Sequence, residues 1–257
     1  MHKTNMKVLG VIPARIGSTR IPQKMLKDIC GKPLIQRTYE RSAQATSLDA
    51  LVIVTDSDEI EQVARNFGAR VIRSVGEHEN GTERTAEAVK LFQDFTPDIV
   101  VTIWGDEPLY PPSAIDECVT MLKNNPNISA VTAADRIVLD EMIEINSVVK
   151  IVTDLQNMAL YISRSPIPYD FKNQGPDYYH VIGAMAMRTP FLHEYATMKQ
   201  TPLEKIEGVE QLRILENGYK LGIVKGDFKN LGVNTPSEYE SVVKTFQERI
   251  TSGELKD

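Results

Sequence analysis

Through the first half of the chain, short β-branched runs alternate with stretches of helical spacing. Val8-Leu9-Gly10-Val11-Ile12 is apolar without alternation, which predicts a strand covered on both faces. Helical spacing runs from Pro33 to about Gln44, and Leu51–Val54 follows as a second strand. Ser57 or Asp58 is placed to cap a helix running to Phe67, where Gly68 ends it. A strand over Ala69–Ile72, a helix over Glu83–Gln93 and a strand over Ile99–Ile103 complete this half.

Such β-α-β-α-β alternation predicts an α/β fold with a mostly parallel sheet and helices on both faces. In open sheets of this kind ligands bind beyond the carboxyl ends of the strands, so the loops after Ile12 and Ile103 are the first candidates for chemistry. The second half is less regular. Val148–Val152 and Ala159–Ile162 flank a turn over Thr153–Asn157 and predict an antiparallel hairpin, and Val181–Met187 is a further strand. Thr201-Pro202-Leu203-Glu204 has a helix-start pattern, with a helix expected to run to Asn217 before Gly218. Thr235-Pro236-Ser237-Glu238 repeats that start for a terminal helix. No internal repeat, low-complexity tract or linker breaks the pattern, so residues 1–257 read as a single domain with an inserted antiparallel lobe.

Composition removes several classes of function. A formal net charge of −6 argues against nucleic acid or an anionic membrane surface as the main partner. Cys30 and Cys118 lie far apart with no C-x-x-C motif or nearby histidine pair, which fits two thiols in a reducing cytoplasm. No apolar stretch approaches the length of a membrane span, and Val8–Ile12 is too short for a secretory signal; a cytoplasmic location is expected.

The segment Pro13-Ala14-Arg15-Ile16-Gly17-Ser18-Thr19-Arg20-Ile21-Pro22-Gln23-Lys24 stands out. It holds three cations, one glycine and two hydroxyls, and no acidic residue. A triphosphate suits this set, because backbone N–H groups of a glycine turn cradle oxygens while arginine forks bind them in pairs. Lys24 would add a point charge on the transferring group. Neither G-x-x-x-x-G-K-[ST] nor G-x-G-x-x-G occurs here. A ligand-free basic surface loop would have the same spacing, and the position at a strand end favours the phosphate reading.

Taken in order, the motifs resemble the family of cytidylyltransferases that activate 3-deoxy-manno-octulosonate (Kdo). They are Ile12-Pro13-Ala14-Arg15, Ser18-Thr19-Arg20 with Lys24, Gly31-Lys32-Pro33-Leu34-Ile35, Thr55-Asp56, Gly81-Thr82-Glu83-Arg84 and Gly105-Asp106-Glu107-Pro108. Ala159-Leu160-Tyr161, Ser163-Arg164-Ser165-Pro166-Ile167-Pro168, Glu210-Gln211-Leu212-Arg213 and Gly232-Val233 with Thr235-Pro236 complete the series. The resemblance implies a Rossmann-like nucleotidyltransferase sheet, with a nucleotide-binding half over about 7–134 and an acceptor and dimerisation half over about 135–245. It implies that Arg15, Arg20 and Lys24 hold the CTP phosphates. Pro13, Ala14, Ser18, the Asn80-Gly81 turn and Gly105 would complete the nucleotide site. Magnesium would sit on Asp106, with Arg15, Lys24 and Asp106 as the catalytic set. Arg164, Glu210 and Gln211 would face the acidic sugar, and the family works as a homodimer. The plain alternative for Asp106 is a helix-capping carboxylate.

The sequence departs from the family's pattern at four places. Trp104 stands where the family has Gln, and Asn234 where it has a second metal-binding Asp. Val181 and Met185 stand where it has His and Tyr around Gly183. Asn234 keeps an oxygen for magnesium but lacks a charge. Trp104, Val181 and Met185 replace polar groups at positions the resemblance assigns to the acceptor, although Met185 with Met187 also fits a core pair. Kdo or a related acid sugar is therefore the expected acceptor. A phosphonate, an amino-substituted octulosonate or another small acid stands as the alternative, and a non-catalytic nucleotide-binding homologue as the remaining one. His78 reads either as part of a ribose pocket or as a loop residue.

Overall fold

In strand β1 (Val8–Ala14), Val8 and Ile12 face one core while Leu9 and Val11 face another, so successive side chains enter opposite layers. The computed structural model describes residues 6–18 and 20–254. A small antiparallel pair, β2 (Asp28–Ile29) and β3 (Lys32–Pro33), leads into α1 (Leu34–Ser42). The alternation then continues through β4 (Ala50–Thr55), α2 (Asp58–Asn66), β5 (Val71–Arg73), α3 (Gly81–Leu91) and β6 (Ile99–Ile103). Ser57 caps α2 by accepting from the Ile60 N–H, and Asn80 caps α3 by accepting from the Glu83 N–H at 2.9 Å.

Like the short pair β2 and β3, the elements α4 (Pro112–Asn124), β7 (Ala130–Arg136) and, later, β11 (Leu221–Gly226) had no counterpart in the sequence reading. The hairpin is β8 (Lys150–Thr153) and β9 (Ala159–Ser163), its turn fixed by Asp154 Oδ1 accepting from the Gln156 and Met158 N–H groups. Strand β10 (Tyr179–Arg188) follows, then α5 (Thr189–Tyr195).

The helix expected over 201–217 is broken. Its two parts are α6 (Pro202–Glu207) and α7 (Leu212–Glu216), separated at Gly208, which adopts φ 61°. There the Gly208 N–H closes α6 on the Glu204 carbonyl at 2.7 Å. The buried Arg213 guanidinium holds the two parts together, bonding both oxygens of Glu204 at 2.8 and 2.7 Å and Glu83 at 2.8 Å. The chain closes with α8 (Pro236–Thr251), started by the Thr235–Glu238 capping box.

One sheet has the order β11-β7-β10-β6-β1-β4-β5, with β8 attached to β10 and β9 to β8. Along that path only β10 runs against the others, which makes the sheet mixed but mostly parallel. Helices α1, α2, α4 and α8 cover one face; α3, α5 and α7 cover the other. From β1 the chain moves outward to β4 and β5, then returns to β6 on β1's other side. The carboxyl ends of β1 and β6 thus flank the reversal point where α/β sheets open a crevice.

Candidate active site

At that reversal point lies a cleft of about 580 Å³, lined by residues from both halves of the chain. Pro13, Ala14, Arg15, Ser18, Arg20 and Lys24 come to it from the end of β1 and the following loop; Asn80 and Gly81 come from the start of α3. Trp104, Gly105, Asp106 and Glu107 follow β6, and Asn234 precedes α8. Arg164, Val181, Glu210 and Gln211 arrive from the second half. Thr19 lies outside the described residues.

Met185 is a correction. It is wholly buried in the α3, α5 and α7 core and pairs with Thr102, inside the sheet. The cause is strand direction: β10 runs antiparallel to β6, so advancing from Val181 to Met185 moves away from the carboxyl ends of the parallel strands.

Three loops meet at Lys24. Its Nζ donates to Asp106 Oδ2 at 2.6 Å and to the Val233 carbonyl at 2.9 Å, while the Val233 N–H donates to the Asp106 carbonyl at 2.9 Å. The terminal helix contributes by its cap: Glu238 Oε2 accepts from the Asn234 N–H at 2.6 Å and the Thr235 N–H at 3.1 Å. Arg15 and Arg20 are exposed, and neither has a carboxylate partner among the described residues. Two cations therefore face the cleft without a counter-charge. Among the described residues of this loop the left-handed position is Gln23, at φ 50°, and not the glycine, Gly17.

Glu107, named in the sequence only as part of a motif, sits beside this cluster. Burial first, and then the charge of Asp106, push its carboxyl up to about 8. The Asn230 side-chain amide donates to it. Arg84 is another residue the motif named without assigning. Its Nη2 holds Asp56 at 2.8 Å, and its buried Nη1 has no partner among the described residues. In both cases the signal available to sequence reasoning was a charged residue inside a motif at a strand or helix end.

On the second-half side, the Arg164 guanidinium donates to the carbonyls of Glu207 (2.5 Å), Asn146 (2.8 Å) and Gly208 (3.1 Å). Lys150, fully buried, donates to the carbonyls of Ile145, Val148 and Arg164 at 3.0, 2.7 and 2.5 Å. Carbonyl dipoles solvate these cations without cancelling their charge. Glu210 Oε1 accepts from the Trp104 indole N–H at 3.4 Å. Burial raises the pKa of Glu210 against the opposing donors Thr82 and Trp104.

His78 lines the cleft and is fixed from behind by Glu87, whose Oε2 meets His78 Nε2 at 2.8 Å. Burial works to raise the Glu87 pKa, but Ser74, His78 and the N–H groups of Val75 and Gly76 outweigh it and hold the carboxyl at about 2. A depressed carboxylate stabilises the fold fully above its unfolded pKa near 4.5 and loses that contribution as pH falls toward 2. Glu87→Gln is therefore expected to lower stability by roughly 2 to 3 kcal/mol at neutral pH, with the difference shrinking on acidification. Denaturant midpoints of both proteins across the acid range check it; a pH-independent difference counts against it.

The fold and the cleft define a nucleotide-transferring enzyme, and a cytidylyltransferase family model matches residues 9–223. A relative described as 3-deoxy-manno-octulosonate cytidylyltransferase from Solibacter usitatus is 41% identical, covering 96% of this chain and 97% of its own. One of the same description from Geobacter sulfurreducens is also 41% identical, over 93% and 99%. A solved CMP:2-keto-3-deoxy-manno-octonic acid synthetase complexed with CTP superposes with a TM-score of 0.87 at 33% identity, covering 95% of this chain and 99% of that one. The chain belongs to the 3-deoxy-manno-octulosonate cytidylyltransferase family.

Proposed function

We propose that the chain transfers CMP from CTP to Kdo and releases pyrophosphate. The observation that carries this is the convergence of Arg15, Arg20, Lys24 and Asp106 on one cleft at the carboxyl ends of β1 and β6. In-line attack at phosphorus needs neutralised oxygens and an oriented nucleophile more than a covalent catalyst. The two arginines neutralise phosphate oxygens, Lys24 follows the charge that develops on the leaving pyrophosphate, and the end of β1 with Asn80-Gly81 holds the nucleoside. Arg164, Glu210 and Gln211 orient the acid so that its hydroxyl faces the α-phosphorus.

Magnesium fits the residues present. Asp106 keeps Oδ1 clear of Lys24, and the Asn234 carboxamide makes no hydrogen bond to a described residue. Magnesium takes one or two carboxylates and completes its octahedron with phosphate and water oxygens, so Asp106 and Asn234 would hold it. When bound, it neutralises phosphate charge and orients the nucleotide. The missing charge at Asn234 weakens that hold. Asn234→Asp is expected to lower the magnesium concentration for half-maximal rate about tenfold. A magnesium titration of initial rates checks it, and an unchanged midpoint excludes Asn234 from the metal.

The reaction is tested by pyrophosphate release from CTP, magnesium and Kdo. No release with Kdo or a panel of small acids, despite measurable CTP binding, would defeat the reading. A phosphonate acceptor is the second reading, favoured by Asn234, since an extra anionic group supplies the charge the side chain lacks.

The same reading extends to a cytoplasmic homodimer. Both cysteines are free, as expected in a reducing compartment. Leu160, Tyr169 and Phe171 in the second half are 63%, 84% and 82% exposed, and β9 pairs on one side only. Sedimentation is expected to give twice the chain mass, falling to one on Leu160→Glu with Phe171→Glu; a wild-type monomer would overturn the assignment.

A further inference from the structure

Trp104 is the one tryptophan in the chain. It follows directly after β6, and its backbone N–H donates to the Gly183 carbonyl at 2.8 Å, which pins it against β10. The indole is partly buried and lines the cleft. Its Nε1–H already has an acceptor in Glu210 Oε1 at 3.4 Å. The other Glu210 oxygen is buried and has no partner among the described residues. With its N–H engaged, the indole has only carbon to present. Two valines also line the cleft: Val181 in β10 and Val149 just before β8, joined by the Val181 N–H donating to the Val149 carbonyl at 2.9 Å. The acceptor half thus sets an apolar wall of indole and valines beside Arg164, while Ser147, Gln200 and Gln211 supply polar lining elsewhere in the cleft.

Hydroxyls set against such a wall would be left unpaired, whereas carbon-bound hydrogens lose nothing there. An acid whose ring is hydroxylated on one face and carries C–H groups on the other fits both features. We propose that Trp104 is a specificity-determining residue whose indole carbons bear on the C–H face of a pyranose acid, with Arg164 drawing the carboxylate. This rests on the reaction proposed above and adds the orientation of the acceptor ring.

Two measurements test it. In steady-state assays Trp104→Phe keeps an aromatic surface but removes the bond to Glu210, and Trp104→Ala removes both. The expected acceptor KM rises about threefold for Trp104→Phe and about thirtyfold for Trp104→Ala, with the KM for CTP unmoved. An equal loss in both variants, or none in either, overturns the contact, because the first shows the indole acting through Glu210. The second measurement is intrinsic emission, which only this residue supplies as tryptophan. Titrating Kdo into the wild-type protein with CTP and no magnesium is expected to change the emission saturably; an unresponsive emission overturns the proposal. Should no acid release pyrophosphate, the proposed reaction falls, and the emission titration still decides for or against the contact. Melting temperature and CTP binding confirm that each variant is folded.

Discussion

Replacing Lys24 with methionine is expected to cut turnover by about two to three orders of magnitude while leaving the fold intact. Lys24 is the cation nearest Asp106, and its Nζ joins the loop after β1 to the residue before Asn234. Removing it takes away the charge that meets the leaving group and the clamp that holds the carboxylate in place. Stability should change little, since Asp106 is 27% exposed and solvent can take over from the lost partner. Lys24→Arg is not a conservative test, because a planar fork cannot meet Oδ2 and the carbonyl as a compact ammonium does. Pyrophosphate release at saturating CTP and acceptor measures the effect. Turnover within tenfold of wild type would remove Lys24 from the catalytic set.

Gly183→Ala should have the largest effect on stability. At φ 54° the residue occupies left-handed space, and an added Cβ would lie 1.8 Å from Tyr110 Cδ2. Tyr110 is buried and cannot swing clear, and the pairing of β10 with β7 already shifts register between Ile182 and Met185. Overpacking and backbone strain together are expected to destabilise the protein by about 3 to 5 kcal/mol. A melting temperature lower by roughly 10 °C, or loss of soluble protein, would show it. A loss under 1 °C would mean that Tyr110 yields. Because the Gly183 carbonyl receives the Trp104 N–H, acceptor use should suffer in whatever fraction stays folded.

The parallel half of the fold was legible because its signals were local and agreed. Val8–Ile12 and Ile99–Ile103 are apolar runs ending at polar loops, and Ser57 and Thr235 are caps that the structure uses as caps. The rule about carboxyl ends then pointed to the cleft before any coordinates. Strand β7 escaped because Ala130-Val131-Thr132-Ala133-Ala134 is small and covered on both faces, so it carries neither alternation nor bulk. The helix over 201–217 was overextended because Gly208 inside a helical pattern reads as a tolerated residue. Its left-handed cap ends the helix, and Arg213, drawing Glu204 and Glu83 together, fixes the break. Met185 was misplaced for a related reason: a motif position gives the order of residues but not the direction in which a strand crosses the sheet. The Lys24–Asp106 pair spans 82 positions of sequence, and no spacing rule reaches that far.

Strand β6 is hydrogen-bonded to β1 on one side and to β10 on the other. The loop after β1 and Trp104, on the acceptor side, are therefore carried by adjacent strands of one sheet. A rotation of β10 against β6 would break the ladder through Thr102 and Ile103. The spacing between the loop after β1 and Trp104 is thus machined into the sheet as it folds.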